Sequence, residues 1–179
     1  MVGRSRSHSK IGLLKYLKRI LLGLVVALVA IQFIPQQKNM AEGVSADNIA
    51  AVYTTPDDVK AILATSCNDC HSNNTTYPWY SNVQPVGFWL THHVNEGKEK
   101  LNFDEFAGYS PRRQYHKLEE TDEMLTEGEM PLSSYTFIHK DAVLNQSQKE
   151  LLINWTKRIR REMEATYPID SLIRPKKNS

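Results

Sequence analysis

Cysteine is scarce in this chain: 179 residues hold two, Cys67 and Cys70, three positions apart. A disulfide framework needs more than that, and so does a four-cysteine zinc site. Whatever the pair does, it does as one local unit. Glycine and proline, eight each, are too few for a low-complexity or disordered chain. No internal repeat is visible, and no alternation of apolar and polar residues marks a strand, which leaves an all-α body. No Ser–His–Asp set or carboxylate pair marks a catalytic centre. Acidic residues are missing from the first 34 positions, which carry Arg4, Arg6, Lys10, Lys15, Lys18 and Arg19. The net charge of +2 therefore averages two regions, and the rest of the chain holds 16 basic against 20 acidic residues. A mildly acidic body excludes a nucleic-acid footprint.

The basic start leads into the one long apolar run, residues 20–34, interrupted only by Gln32. A membrane-spanning helix wants ~20 apolar residues. Counting back through Tyr16 and Leu17, with Lys15, Lys18 and Arg19 snorkelling to the headgroups, approaches that length. The expectation is an uncleaved transmembrane anchor. The alternative is a cleaved signal peptide, for which Ala30 suits the −1 position but Leu28 is a poor −3 residue. All the early positive charge precedes the run, so the N-terminus stays inside and the body lies beyond the membrane. No cysteine ends the run, which argues against a lipoprotein. The chain divides into a basic cytoplasmic start (1–19), an anchor or signal segment (20–34), a polar linker (35–55), a domain (56–165) and a C-terminal tail (166–179).

Within the linker a short helix is expected at residues 49–52. Thr55-Pro56-Asp57-Asp58 then starts a helix, with Thr55 as cap, Pro56 in the first turn and the aspartates at the positive end of the dipole. Val59, Ile62 and Leu63 give it one apolar face, and it delivers the chain to Cys67. Residues 72–85 read as loop. Residues 85–101 read as a helix with Val86, Trp89, Leu90, His93 and Val94 on one side. Ser110-Pro111 starts another that runs to about Glu127, and Gly128-Glu129-Met130-Pro131 breaks it. Ser147-x-x-Glu150 matches a capping box ahead of a last amphipathic helix through Leu151, Leu152, Trp155, Ile159 and Met163.

The chemistry sits in Cys67-Asn68-Asp69-Cys70-His71, a C-x-x-C-H motif that is the attachment signature of c-type haem. Two thiols at this spacing reach the two vinyl groups of a porphyrin, and the next imidazole takes the iron. Other readings compete. A thioredoxin-like pair would follow a strand. A zinc site would recruit Cys67, Cys70 and two of His92, His93, His116 and His139. A plain disulfide would follow from export.

Residues 59–155 resemble the small bacterial haem-binding domain family, related to monohaem cytochromes c. The likeness lies in the cysteine motif, Tyr77-Pro78-Trp79-Tyr80, His92-His93-Val94-Asn95-Glu96-Gly97, Leu101-Asn102-Phe103 and Glu127-Gly128-Glu129-Met130-Pro131. It implies haem binding without establishing a reaction or partner. The fold expected is a small cytochrome c-like, all-α domain around one covalent haem c, preceded by the transmembrane helix, in the bacterial periplasm on the inner membrane.

Methionine and histidine are the usual second iron ligands. Met130, in a Gly- and Pro-bounded turn, is the first candidate, with His93 as the alternative. Tyr77, Trp79 and Trp89, with Tyr80 and Phe88, are expected to pack on the porphyrin. Two functions follow: one-electron transfer to an unknown redox partner without catalysis, or a ligand sensor or peroxidase whose open sixth site faces His92, His93 or Tyr135. A zinc- or disulfide-stabilised binding module is the third.

Overall fold

The computed structural model describes residues 6–41, 43 and 45–173. Arg4 and the expected tail beyond Ile173 lie outside them. In chain order the helices are α1 (Arg6–Ala30), α2 (Ile49–Val52), α3 (Asp57–Ser66), α4 (Asn68–His71), α5 (Val86–Lys100), α6 (Pro111–Glu127), α7 (Ser133–Ile138), α8 (Gln146–Thr166) and α9 (Ile169–Leu172). Short 3-10 turns join them. Among the described residues there is no strand, only an antiparallel bridge between Met40 and Asn74. The all-α expectation holds.

Two compact units emerge. One holds the described residues up to Gln37 together with Tyr77–Thr91, and the other Lys38–Thr76 together with the chain from His92 onward. In the first, α1 corrects the expected anchor: among the described residues no helix is long and apolar enough to cross a membrane. Lys15, Lys18 and Arg19 lie inside α1, and its uninterrupted apolar part is residues 20–30 before the backbone tightens into the 3-10 turn Ile31–Phe33. Eleven residues rise about 16 Å, roughly half the hydrocarbon thickness of a bilayer. Gln32, the polar break in the run, is tied down: its Nε2 donates to Leu28 O (2.8 Å) and Gln84 O (3.1 Å), and its Oε1 accepts from Gln84 N (2.9 Å).

The core of the second unit lies between α3, α6 and α8. Leu118 and Leu125 of α6 meet Leu152, Trp155, Ile159 and Met163 of α8, all nearly inaccessible. Burying each such aliphatic side chain contributes about 1.5–3 kcal/mol. A polar clamp joins the same two helices, Thr156 and Arg160 both donating to Asp122. α6 begins and ends where the sequence signals place it. Ser110 Oγ accepts from Arg113 N (3.4 Å), and Gly128 closes the helix at φ 76°, a left-handed position that glycine tolerates best. α8 starts earlier than expected. The box is Asn145–Gln148, with Gln148 N donating to Asn145 Oδ1 (2.9 Å) and Asn145 N to Gln148 Oε1 (3.0 Å).

Residues 47–49 and α9 also contribute to this unit. In the linker, Asn48 caps α2 and donates to Asp104 Oδ1 (2.6 Å), Ala107 N donates to Asp47 O (2.9 Å), and Ile49 is buried. Beyond residue 165, α9 puts Leu172 into the core.

Candidate functional site

The cysteine motif forms a helical turn of its own. α3 ends at Ser66, and Cys67 at φ −129° breaks the spiral before α4 resumes it. Cys70 N and His71 N both donate to Cys67 O, at 3.2 and 3.0 Å. Positions three and four apart share a helix face, so Cys67, Cys70 and His71 lie together. All three line a cavity of about 330 Å³, with Asp69, His93, Glu96, Gly97, Lys100, Met130, Pro131, Leu132 and Tyr135 among its other walls. That volume is at the small end for a ligand site.

α5 holds the imidazole. His71 Nδ1 lies 3.1 Å from Gly97 O and 2.9 Å from Leu101 O. Both are acceptors, so Nδ1 carries the proton and Nε2 keeps its lone pair for the cavity. Burial, the largest effect, lowers the His71 pKa against the opposing pull of the Leu101 and Gly97 carbonyls. The result is a neutral ring in one tautomer, the arrangement of a metal-ligating histidine. Phe103 meets it edge-on with centroids 6.2 Å apart.

This approach of α5 depends on Gly97. A Cβ there would stand 2.6 Å from Cys70 O and 3.0 Å from Cys70 Cβ. The sequence held the signal, because a glycine inside an amphipathic helix is tolerated only for a packing or functional reason. It could not say which segment lies against it.

Neither cysteine is in a disulfide. Burial, reinforced by Cys70, pushes the Cys67 thiol up to about 12. Burial and then Asp69 push Cys70 up to about 11. Both therefore stay protonated at neutral pH, unlike the low-pKa cysteines of redox helices. No group of three or more His, Cys, Asp or Glu residues able to hold a metal gathers among the described residues. His92 faces Glu96 (3.4 Å) and His116 faces Glu120 (3.1 Å) at the surface.

Met130 and His93, the two candidate second ligands, both line the cavity with His71. Tyr77, Trp79 and Trp89 are the remaining candidates. They belong to the first unit, where Trp79 is 79% and Trp89 45% exposed. Sequence reasoning missed the partnership of Asp69 and Tyr135. The phenol donates to Asp69 Oδ2 (2.8 Å), and Asp69 Oδ1 accepts from Thr76 N (2.9 Å).

A helical body that sets a neutral imidazole and two protonated thiols on one wall of a cavity, with a methionine on its lining, fits a planar metallocofactor. The sequence matches the haem-binding domain family over residues 26–158, and the chain belongs to that family. Haem is its cofactor. No curated protein and no solved structure matches the chain.

Proposed function

We propose that this chain is a monohaem c-type electron carrier. Cys67 and Cys70 would hold the porphyrin through thioethers, each S–H adding across one vinyl group, and His71 Nε2 and Met130 would ligate the iron. The observation that carries the reading is the double carbonyl lock on His71 Nδ1, which spends one ring nitrogen on α5 and leaves the other for iron. The haem supplies a one-electron couple when bound. The residues do the rest: α4 presents the three attachment atoms on one face, Gly97 and Leu101 fix the tautomer, and burial keeps the thiols protonated until attachment. Methionine ligation raises the reduction potential. The site needs no acid, base or nucleophile.

The address belongs to the same proposal. A basic start followed by an apolar stretch of twelve residues, 20–31, matches the length of a secretory signal's apolar core, and export places the domain in the bacterial periplasm beside its redox partners.

The test is spectroscopic. The haem-loaded protein should be six-coordinate and low-spin and bind carbon monoxide only slowly, and Met130→Ala should turn it high-spin and rapidly reactive. A high-spin wild type that binds carbon monoxide would favour the sensor or peroxidase reading. A Met130→Ala spectrum identical to wild type, with His93→Ala altered, would move the ligand to His93.

A further inference from the structure

Helix α7 follows Met130 after two residues, and it buries no side chain. Its Phe137 and Ile138 are 76% and 53% exposed. A six-residue helix without an apolar anchor has little to hold it in place. Across Ser133–Ile138, the one side-chain hydrogen bond to another segment among the described residues is Tyr135 to Asp69. Asp69 sits between the two cysteines of the motif, 66 positions away in sequence. Its second oxygen holds Thr76 N–H and its carbonyl accepts from Thr75 Oγ1 at 2.7 Å, so the acceptor is fixed from both sides. The phenol ring is fixed too, stacked on His139 at 4.3 Å between centroids and 14° between planes. Tyr135, Asp69 and Met130 line the same cavity.

We propose that the Tyr135–Asp69 hydrogen bond is a tether that fastens the Met130 loop over the cysteine motif, and so sets how often Met130 leaves the iron. The proposal rests on Met130 being the axial ligand. Tyr135 and Asp69 are positioning residues that act through Met130. Hydrogen bonds to charged acceptors are the stronger kind, so losing this one raises the opened fraction about tenfold or more. Carbon monoxide, which enters only when the methionine has left, reports that fraction directly.

Tyr135→Phe removes one oxygen and keeps the stack on His139. In the haem-loaded protein it should bind carbon monoxide about tenfold faster than wild type, with unchanged haem content. Amide exchange across Ser133–Ile138 should speed up by a similar factor. Asp69→Ala, approached from the other side of the contact, should do the same, and the double variant should add little because both remove one bond. It also repeats the test where Tyr135→Phe does not accumulate. Unchanged carbon monoxide binding in Tyr135→Phe, alongside a Met130→Ala that does turn high-spin, overturns the tether and leaves the ligand assignment standing. A Met130→Ala spectrum like wild type overturns the ligand assignment and the tether's role together, even if exchange speeds up.

Discussion

Substituting Gly97 by alanine sets two effects against each other. In the middle of a helix alanine is ordinarily favoured by about 1 kcal/mol. At position 97 the new methyl would lie 2.6 Å from Cys70 O, 3.0 Å from Cys70 Cβ and 3.2 Å from Cys70 C. None of these atoms ends a flexible side chain, so either α5 or the cysteine motif must move. Overpacking of this kind costs about 1–3 kcal/mol. Retreat of α5 also draws Gly97 O away from His71 Nδ1, now 3.1 Å away, which costs about 1 kcal/mol more. The net expectation is a loss of about 1–3 kcal/mol, or a melting temperature lower by roughly 2–12 °C for a chain of this size. Thermal unfolding of Gly97→Ala beside Gly23→Ala measures it. Gly23 is a helical glycine with no neighbour within 4 Å, and alanine there should be neutral or stabilising. A Gly97→Ala protein as stable as wild type, with normal haem attachment, would refute the claim that α5 rests on the motif.

Three further outcomes follow from the geometry. The raised thiols of Cys67 and Cys70, at about 12 and 11 against an ordinary 9.0, give the haem-free fold stability that is present below about pH 9 and lost as pH climbs towards 11–12. Urea midpoints should fall across that window, and fall less in Cys67→Ala/Cys70→Ala; equal slopes would contradict the burial of the thiols. Asp104, buried, accepts from Asn48 Nδ2 at 2.6 Å and from Asn73 N at 2.7 Å. Asp104→Ala strands both donors and should destabilise by about 2–4 kcal/mol in the same urea titration, with no loss arguing that these contacts are dispensable. Gly128→Ala, at φ 76°, should cost about 1–2 kcal/mol without altering the haem spectrum.

Much of the helical plan was legible because its signals are local. Ser110-Pro111 and Gly128 bracket α6 through side-chain capping and a left-handed glycine, and the period of Leu152, Trp155, Ile159 and Met163 fixes the buried face of α8. Two overlapping capping patterns, Asn145-x-x-Gln148 and Ser147-x-x-Glu150, compete for the start of α8, and periodicity alone does not choose between them. Helix α7 was invisible because Ser133–Ile138 carries no apolar stripe and buries nothing. The apolar run misled, since its composition suits a bilayer while Lys15, Lys18 and Arg19 at one end and the helix end at Ala30 at the other leave α1 an apolar part of only residues 20–30. At the site, the spacing of Cys67, Cys70 and His71 is legible in the sequence. The carbonyls of Gly97 and Leu101 that orient His71 are backbone atoms, which no residue pattern displays. Trp79 and Trp89, both large aromatics, stand exposed in the first unit.

Covalent haem on Cys67 and Cys70 is tested most directly by expressing the chain in a bacterium equipped for cytochrome c maturation, denaturing it and assaying the separated polypeptide for haem. The account predicts haem that stays with the denatured chain and is lost in Cys67→Ala/Cys70→Ala. Haem released on denaturation, or none at all while a control cytochrome matures normally, would contradict covalent attachment at this motif.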